Sequence, residues 1–103
     1  MIKTYPENIV QKQLIVTSTD FNLESEIIFT IINKCIIIDY LGMHIKIAKN
    51  EIRKVEIKKN DTNYLTKIFF SINQKIQMEY IFFSSKNKIK DIYDFFEDFN
   101  LIK

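Results

Sequence analysis

The sequence predicts a mostly β domain of about seven antiparallel strands, closed by one C-terminal amphipathic helix. Turn-forming residues recur at intervals of about ten, as in all-β chains, and the segments between them are rich in Ile, Phe, Val and Tyr. Near residue 86 the apolar repeat changes from every second residue to every third or fourth, which marks the start of a helix. The chain has 103 residues, 47% of them hydrophobic, so one domain with a single core is expected over residues 1–103.

The strands are separated by short polar turns rich in Asn and Asp, residues that tolerate the left-handed backbone of tight turns. In front of the first strand, Thr4 and Glu7 with Pro6 between them form a capping-box pattern that favours a short helix. The predicted strands cover residues near 10–17 and then 25–32, 35–40, 43–48, 52–59, 64–72 and 76–83.

The clearest hairpin joins 64–72 to 76–83. Residues directly opposite in an antiparallel pair share a face, so the hydrophobic alternation fixes the register. A three-residue loop pairs Ile72 with Ile76 and continues with apolar pairs along one face. A two-residue loop would set core residues against polar ones, so the sequence predicts the three-residue loop.

The hairpin around Gly42 is compatible with two registers. A two-residue turn sets Ile38 opposite Ile45, whereas a type I turn that begins at Asp39 and places Gly42 in a bulge sets Ile37 opposite Ile45. Both registers suit a run of three isoleucines, so periodicity leaves the choice open.

The C-terminal apolar pattern predicts a helix over 86–100, with Ser84 or Ser85 as its N-cap. A helix this short is marginal in water by itself, so it is expected to dock on the sheet. The residues of its predicted apolar stripe are Ile89, Ile92, Tyr93, Phe96 and Phe99.

The composition limits the partners and the location. The formal net charge of +2 is too small to indicate a nucleic-acid or membrane partner by itself. Cys35 is the only cysteine, so an intrachain disulfide is excluded and a buried, unreactive thiol is expected. The N-terminal residues lack the features of a signal peptide, and no apolar run approaches the ~20 residues of a membrane span. A cytoplasmic protein is therefore expected.

A resemblance to a known family runs through the middle of the chain. The stretch 29–39, followed by Gly42, 45–47 and 52–55, reads as a strand, a polar turn, an apolar strand, a basic-apolar strand and an I-x-x-V strand. This order resembles the GRAM and bacterial PH-domain pattern of the pleckstrin-homology-like superfamily, over about residues 25–100. The resemblance implies a partly open barrel or two orthogonal sheets, closed at one end by the helix. It also implies binding of phosphoinositides or proteins, and not catalysis.

The segment 17–26 departs from the lipid-binding members of that superfamily. Those members hold phosphate with lysines and arginines in the loop between the first two strands. Here the segment contains three acidic residues and no basic one. Phosphoinositide binding in the usual mode is therefore not expected.

Catalysis is not indicated. His44 is the only histidine, and its alternation with Met43 and Ile45 directs it away from the core. A zinc site needs further His or Cys ligands, and no serine lies in the G-x-S-x-G elbow of hydrolases. The sequence predicts a protein that is not an enzyme, with no catalytic residues, no cofactor and no metal.

Basic residues concentrate in the stretch 46–59, where six cations stand against Glu51 and Glu56. More lysines lie at the start of the predicted helix, at the positive end of its dipole, where an acidic partner would compensate them. The alternative interpretation is an ordinary solvated face, and no aromatic residues alternate with these lysines to stack bases of single-stranded nucleic acid. The candidate residues for an anion or an acidic partner are Lys46, Arg53, Lys54, Lys58, Lys86 and Lys88.

The 64–83 hairpin also predicts an apolar surface. In the chosen register Phe69, Ile81 and Phe83 point away from the core, and Phe69 and Ile81 are diagonal neighbours. Such a patch marks an interface unless another element covers it. The predicted function is a small non-catalytic binding module that binds another protein or a second copy of itself, through this patch or a sheet edge. Such a module would be an adaptor, an inhibitor, or an immunity or anti-defence protein. The second candidate is a peripheral domain that binds anionic lipid through the 46–59 stretch.

Overall fold

The computed structural model describes residues 12–20 and 23–97. Within them, seven strands pair in sequence order, and the pairing is interrupted once, between the fourth and the fifth strand. Sheet A has the order β1-β2-β3-β4, sheet B has the order β5-β6-β7, every pair is antiparallel, and the two sheets are not closed into a barrel. The strands are β1 Lys12–Asp20, β2 Leu23–Ile32, β3 Cys35–Tyr40, β4 Met43–Ala48, β5 Ile52–Asn60, β6 Asn63–Ile72 and β7 Ile76–Ser85.

The helical elements are short. One turn of 3-10 helix, Lys49–Glu51, connects the two sheets, and a second, Lys86–Lys88, leads into the helix α1, Ile89–Phe96. The mostly β fold with a C-terminal helix is confirmed, and the helical segment begins at the predicted residue. The capping-box pattern at Thr4 and the end of the predicted helix beyond residue 97 lie outside the described residues.

The β6–β7 hairpin has the predicted three-residue loop. Ile72 pairs with Ile76, and the apolar pairs continue along one face. Asn73 and Gln74 take positive φ angles of 54° and 61°, and the Lys75 backbone N–H donates to the Ile72 carbonyl at 3.0 Å. The hydrophobic alternation therefore predicted this register correctly.

The β3–β4 hairpin adopts the two-residue turn. Ile38 pairs with Ile45, so the bulged register that pairs Ile37 with Ile45 is not adopted. Leu41 and Gly42 both have positive φ, 47° and 83°, as a type I′ turn requires. This turn matches the twist of the strands that it joins, which favours it although leucine is strained in that region.

The core lies between the inner faces of the two sheets and is closed by α1. Phe29 of β2 stands at its centre, with ring centroids 5.0 Å from Phe82, 6.0 Å from Phe96 and 6.1 Å from Phe95. Tilted and edge-on contacts of this kind add to the energy of apolar burial. The helix is also held to β1, since the Lys12 Nζ donates to the Asp94 carbonyl at 2.8 Å.

The buried side of α1 differs from the predicted stripe. Ile92 and Phe96 are buried as expected, but Phe95 is buried and Tyr93 is exposed. Most residues of this helix are apolar, so spacing alone does not identify the side that meets the sheets. Phe99 lies outside the described residues.

Ser85 is the N-cap residue of the turn that opens the helical segment, as predicted, although its side chain makes no capping hydrogen bond. Two smaller predictions were wrong. The segment 17–26 is not a loop, since only residues 21–22 separate β1 from β2. Cys35 is half-buried rather than buried, because it begins a strand directly after an exposed turn.

Candidate functional site

The outer face of sheet B carries the predicted apolar patch, called the outer patch here and consisting of Phe69, Ile81 and Phe83. Lys67 lies opposite Ile81, and Leu65 lies opposite Phe83. Ile81 is 46% exposed and Phe83 is 37% exposed. The outward direction of these side chains follows from the register, because neighbouring residues on a strand point to opposite faces.

Phe69 is the least accessible member of the outer patch. It is half-buried, and the Lys54 Nζ lies 4.9 Å from the centroid of its ring, within the range of a cation–π contact. The same ammonium group bonds to the Glu56 Oε2 at 3.0 Å, and this hydrogen bond holds the pKa of the Glu56 carboxyl below its usual value. The accessible part of the outer patch is therefore Ile81 and Phe83.

A groove of about 200 Å³ borders this accessible part. Ile81 and Phe83 line it together with Met43, Tyr40 and Tyr80, and Met43 is 50% exposed. Burial raises the pKa of the Tyr80 hydroxyl to about 12, and the nearby Tyr40 contributes to the shift. The Tyr80 hydroxyl is thus a stable hydrogen-bond donor at neutral pH.

Sequence reasoning missed Met43 and Tyr40. Both flank the two-residue turn of the β3–β4 hairpin in sheet A, whereas Ile81 belongs to sheet B. Their proximity depends on how the two sheets meet, which no local pattern encodes.

A second group of exposed apolar side chains lies at the tip of the β6–β7 hairpin. Ile72, Ile76 and Met78 occupy inner-face positions and were expected in the core, but all three are exposed. The face was predicted correctly, since Phe70, which lies opposite Met78, is buried. The core ends before the tip.

The predicted basic residues lie on three different parts of the fold. Lys46 is on β4 of sheet A, and Lys54 and Lys58 are on β5 of sheet B. Lys86 and Lys88 belong to the 3-10 turn before α1, where the Lys88 Nζ lies 3.6 Å from the Asp91 Oδ2. The structure does not place all of them on one element.

Arg53 has a special position at the start of β5. Ile52 pairs with Phe70 and Lys54 pairs with Phe69, so Arg53 is the extra residue of a β-bulge. Bulges redirect a side chain and interrupt regular pairing.

The two acidic residues of the basic stretch serve internal contacts. The Glu51 carboxylate accepts from the backbone N–H of Ala48 at 3.4 Å and of Asn73 at 3.3 Å, and Glu56 bonds to Lys54. Both carboxylates are thus engaged within the chain, and neither compensates Arg53.

His44 lies opposite Asp39 on the neighbouring strand. Its Nδ1 is 2.7 Å from the Asp39 Oδ1, and both side chains are accessible to solvent. Within residues 12–20 and 23–97, no group of three or more His, Cys, Asp or Glu side chains is arranged to hold a metal ion. The pair is a cross-strand contact on the sheet surface.

The fold and its surfaces define a class of protein: a two-sheet β domain with a docked C-terminal helix and an apolar outer patch. No protein-family model matches the chain, and no curated protein matches it either. In the part of the chain that the structure describes, no helix is long and apolar enough to cross a membrane.

Proposed function

We propose that the protein is a non-catalytic binding module that acts by contact with a partner protein. The observation that supports this proposal is the exposure of Ile81 and Phe83 beside Met43 around one groove. Contiguous exposed apolar side chains on a β domain are typical of interfaces. Burial of the exposed part of Ile81 or Phe83 in a complex contributes about 1 kcal/mol each. An adaptor, an inhibitor, or an immunity or anti-defence protein would use such a surface.

The proposal includes membership of the pleckstrin-homology-like superfamily, of the GRAM or bacterial PH-domain type. The described residues form seven strands divided four and three, followed by one α-helix, and this order supports the membership. The function of binding without catalysis would then follow from the family. A location in the cytoplasm stays a prediction from the sequence, which cell fractionation tests.

The test compares the same substitution at two isoleucines that have similar exposure. Ile81→Asp places a charge in the outer patch, and Ile15→Asp places one on β1 of sheet A, where Ile15 is 42% exposed. Partners are cross-linked in lysate of the source cells and identified by mass spectrometry. Ile81→Asp is expected to weaken capture at least about tenfold, whereas Ile15→Asp captures the same partner as the native chain. Thermal unfolding of both variants checks that the fold is intact.

Equal capture by the native chain and both variants would contradict the proposal, because the outer patch would then play no part. Equal loss in both variants would contradict it as well, since the effect would come from a charge on any sheet face.

The second candidate function is peripheral binding of anionic lipid. It is favoured by the stretch 46–59, which has a local excess of four positive charges. Flotation with vesicles rich in phosphatidylserine tests it, with phosphatidylcholine vesicles as the control. If this function is correct, binding falls as salt rises and is lost in Lys54→Glu/Lys58→Glu. The acidic segment 17–26 weighs against this candidate.

A further inference from the structure

The strand β5 has a free edge. In the part of the chain that the structure describes, β5 pairs with β6 alone, so the backbone N–H and C=O groups along its other side are available to a further strand. Regular pairing with β6 runs from Lys54 to Asn60, after the bulge at Arg53. Among the described residues, this edge offers seven consecutive positions beyond the bulge.

The free edge is strongly basic. Within the described residues, Arg53, Lys58 and Lys59 are exposed and form no salt bridge. Because successive strand residues point to opposite faces, Lys58 and Lys59 lie on the two sides of the edge. A partner that meets the edge directly would contact both, whereas a flat surface against either sheet face would contact one.

An acidic strand pair exists elsewhere on the same chain. The paired strand ends 17–20 of β1 and 23–26 of β2, called the acidic hairpin here, contain three acidic residues and no basic one. Glu24 and Glu26 alternate on β2, so they share one face, and both are exposed. Neither forms a salt bridge with any residue that the structure describes.

We propose that the free edge of β5 binds the acidic hairpin of a second copy of this chain. Complementary charge supports this occupant, since cations without a salt bridge on one strand match carboxylates without a salt bridge on another. Backbone hydrogen bonds along the edge provide affinity, and the charges select the partner and the register. The contact joins two different surfaces, so it forms either a closed pair, when each hairpin reaches the other copy's β5, or a ring or chain of copies. The inference goes beyond the proposed function, because the outer patch members Ile81 and Phe83 lie on β7, at the opposite edge of sheet B.

Sedimentation velocity of the purified full chain tests this contact. The weight-average sedimentation coefficient is expected to rise with protein concentration at about 20 mM salt and to stay at the monomer value at about 500 mM salt, because salt screens exposed charges. Two charge reversals are then compared: Glu24→Lys/Glu26→Lys in the acidic hairpin and Lys58→Glu/Lys59→Glu on the free edge. Each variant alone is expected to associate at least about tenfold more weakly than the native chain, because both of its surfaces then carry the same sign. An equimolar mixture of the two variants is expected to restore association.

The control for net charge is Lys34→Glu/Lys75→Glu, which changes the total charge as the β5 variant does but at exposed turn positions outside β5. It is expected to associate like the native chain, because its acidic hairpin and its β5 edge are both unchanged. Loss of association in this control would overturn the proposal, because association would then follow the total charge and not the two surfaces.

Three other results would overturn it. The first result is that the native chain stays monomeric at every protein and salt concentration tested, which would mean that the lysines of β5 prevent strand addition. The second result is that the equimolar mixture of the two charge reversals does not associate. The third is that the monomeric chain binds anionic vesicles and loses this binding in Lys58→Glu/Lys59→Glu, which would mean that the edge binds lipid.

The variant Ile81→Asp separates the two proposals. It is expected to leave the self-association unchanged even where it abolishes capture of a partner protein, and loss of self-association in this variant would mean that the contact lies at the outer patch.

Discussion

The β3–β4 hairpin and the tip of the β6–β7 hairpin both carry apolar residues on the inner faces of their sheets, yet those of β3 are buried and those of the tip are exposed. Ile36 and Ile38 are fully buried, whereas Ile76 and Met78 are exposed. Both pairs occupy inner-face positions of their sheets. The comparison shows that alternation determines the face of a residue, while burial depends on whether another element lies opposite that face.

The largest expected effect comes from removing the element that covers the core. Phe96 of α1 is fully buried and contacts the ring of Phe29. Phe96→Ala is expected to lower the free energy of unfolding by about 3–5 kcal/mol, because it removes apolar contacts and leaves a cavity. Urea denaturation measures the change.

Tyr93→Ala is the matched control on the same helix, since Tyr93 is exposed. Its effect is expected to stay within about 0.5 kcal/mol. A loss in Tyr93→Ala as large as that in Phe96→Ala would mean that the helix docks through the originally predicted stripe.

The next prediction tests the two hairpins directly. Ile38→Ala is expected to cost about 2–5 kcal/mol, as other buried isoleucines do, and Ile76→Ala is expected to cost less than about 1 kcal/mol, because an exposed side chain leaves no cavity. Both changes remove the same atoms from an inner-face position, so urea denaturation isolates the effect of the opposing element. Equal costs would show that the tip of β6–β7 is covered in solution.

The comparison also explains how much the sequence could predict. The strands and the β6–β7 register follow from side-chain alternation, which is local, and Ile76 was placed on the correct face by the same logic. The exposure of Ile76, the burial of Phe95 in place of Tyr93, and the position of Met43 beside Ile81 depend on how separate elements meet. Such contacts join residues far apart in sequence, and no spacing rule contains them. The direction of the outer patch was therefore predictable, whereas its groove was not.

A smaller effect is expected from buried hydroxyl groups, which differ between the two sheets. In sheet A, the Thr30 Oγ1 accepts a hydrogen bond from the Gln13 Nε2 at 3.3 Å. In sheet B, the Thr66 Oγ1 is buried without a hydrogen-bond partner among the described residues. Thr66→Val is expected to stabilise the protein by about 1–2 kcal/mol, because a buried polar group without a partner is unfavourable.

Thr30→Val makes the same substitution where a partner exists, and it is expected to destabilise by about 1 kcal/mol. If the two substitutions change the free energy of unfolding in opposite directions, as thermal or urea unfolding would show, then the two buried hydroxyl groups differ in hydrogen bonding as described. A destabilising Thr66→Val would show instead that the Thr66 hydroxyl has a partner in solution, such as a buried water.

The last prediction concerns Tyr80, which lies where the two hairpins approach each other and where the expected effect at neutral pH is smallest. Its pKa is raised to about 12 in the folded protein, chiefly by burial, against 10.0 as its ordinary value. The folded state therefore holds the phenolic proton more tightly than the unfolded state. By linkage, the contribution of Tyr80 to stability is fully present below about pH 10 and is lost as the pH rises through about 12.

Tyr80→Phe keeps the ring and removes the titration, so the free energy of unfolding of this variant is expected to fall less steeply over that range. Tyr64→Phe serves as the control, since it removes one phenol from an inner-face position on β6. If Tyr80→Phe and the native chain lose stability in parallel above pH 10, the Tyr80 hydroxyl is open to water and the groove between the hairpins is wider than the burial of this residue indicates.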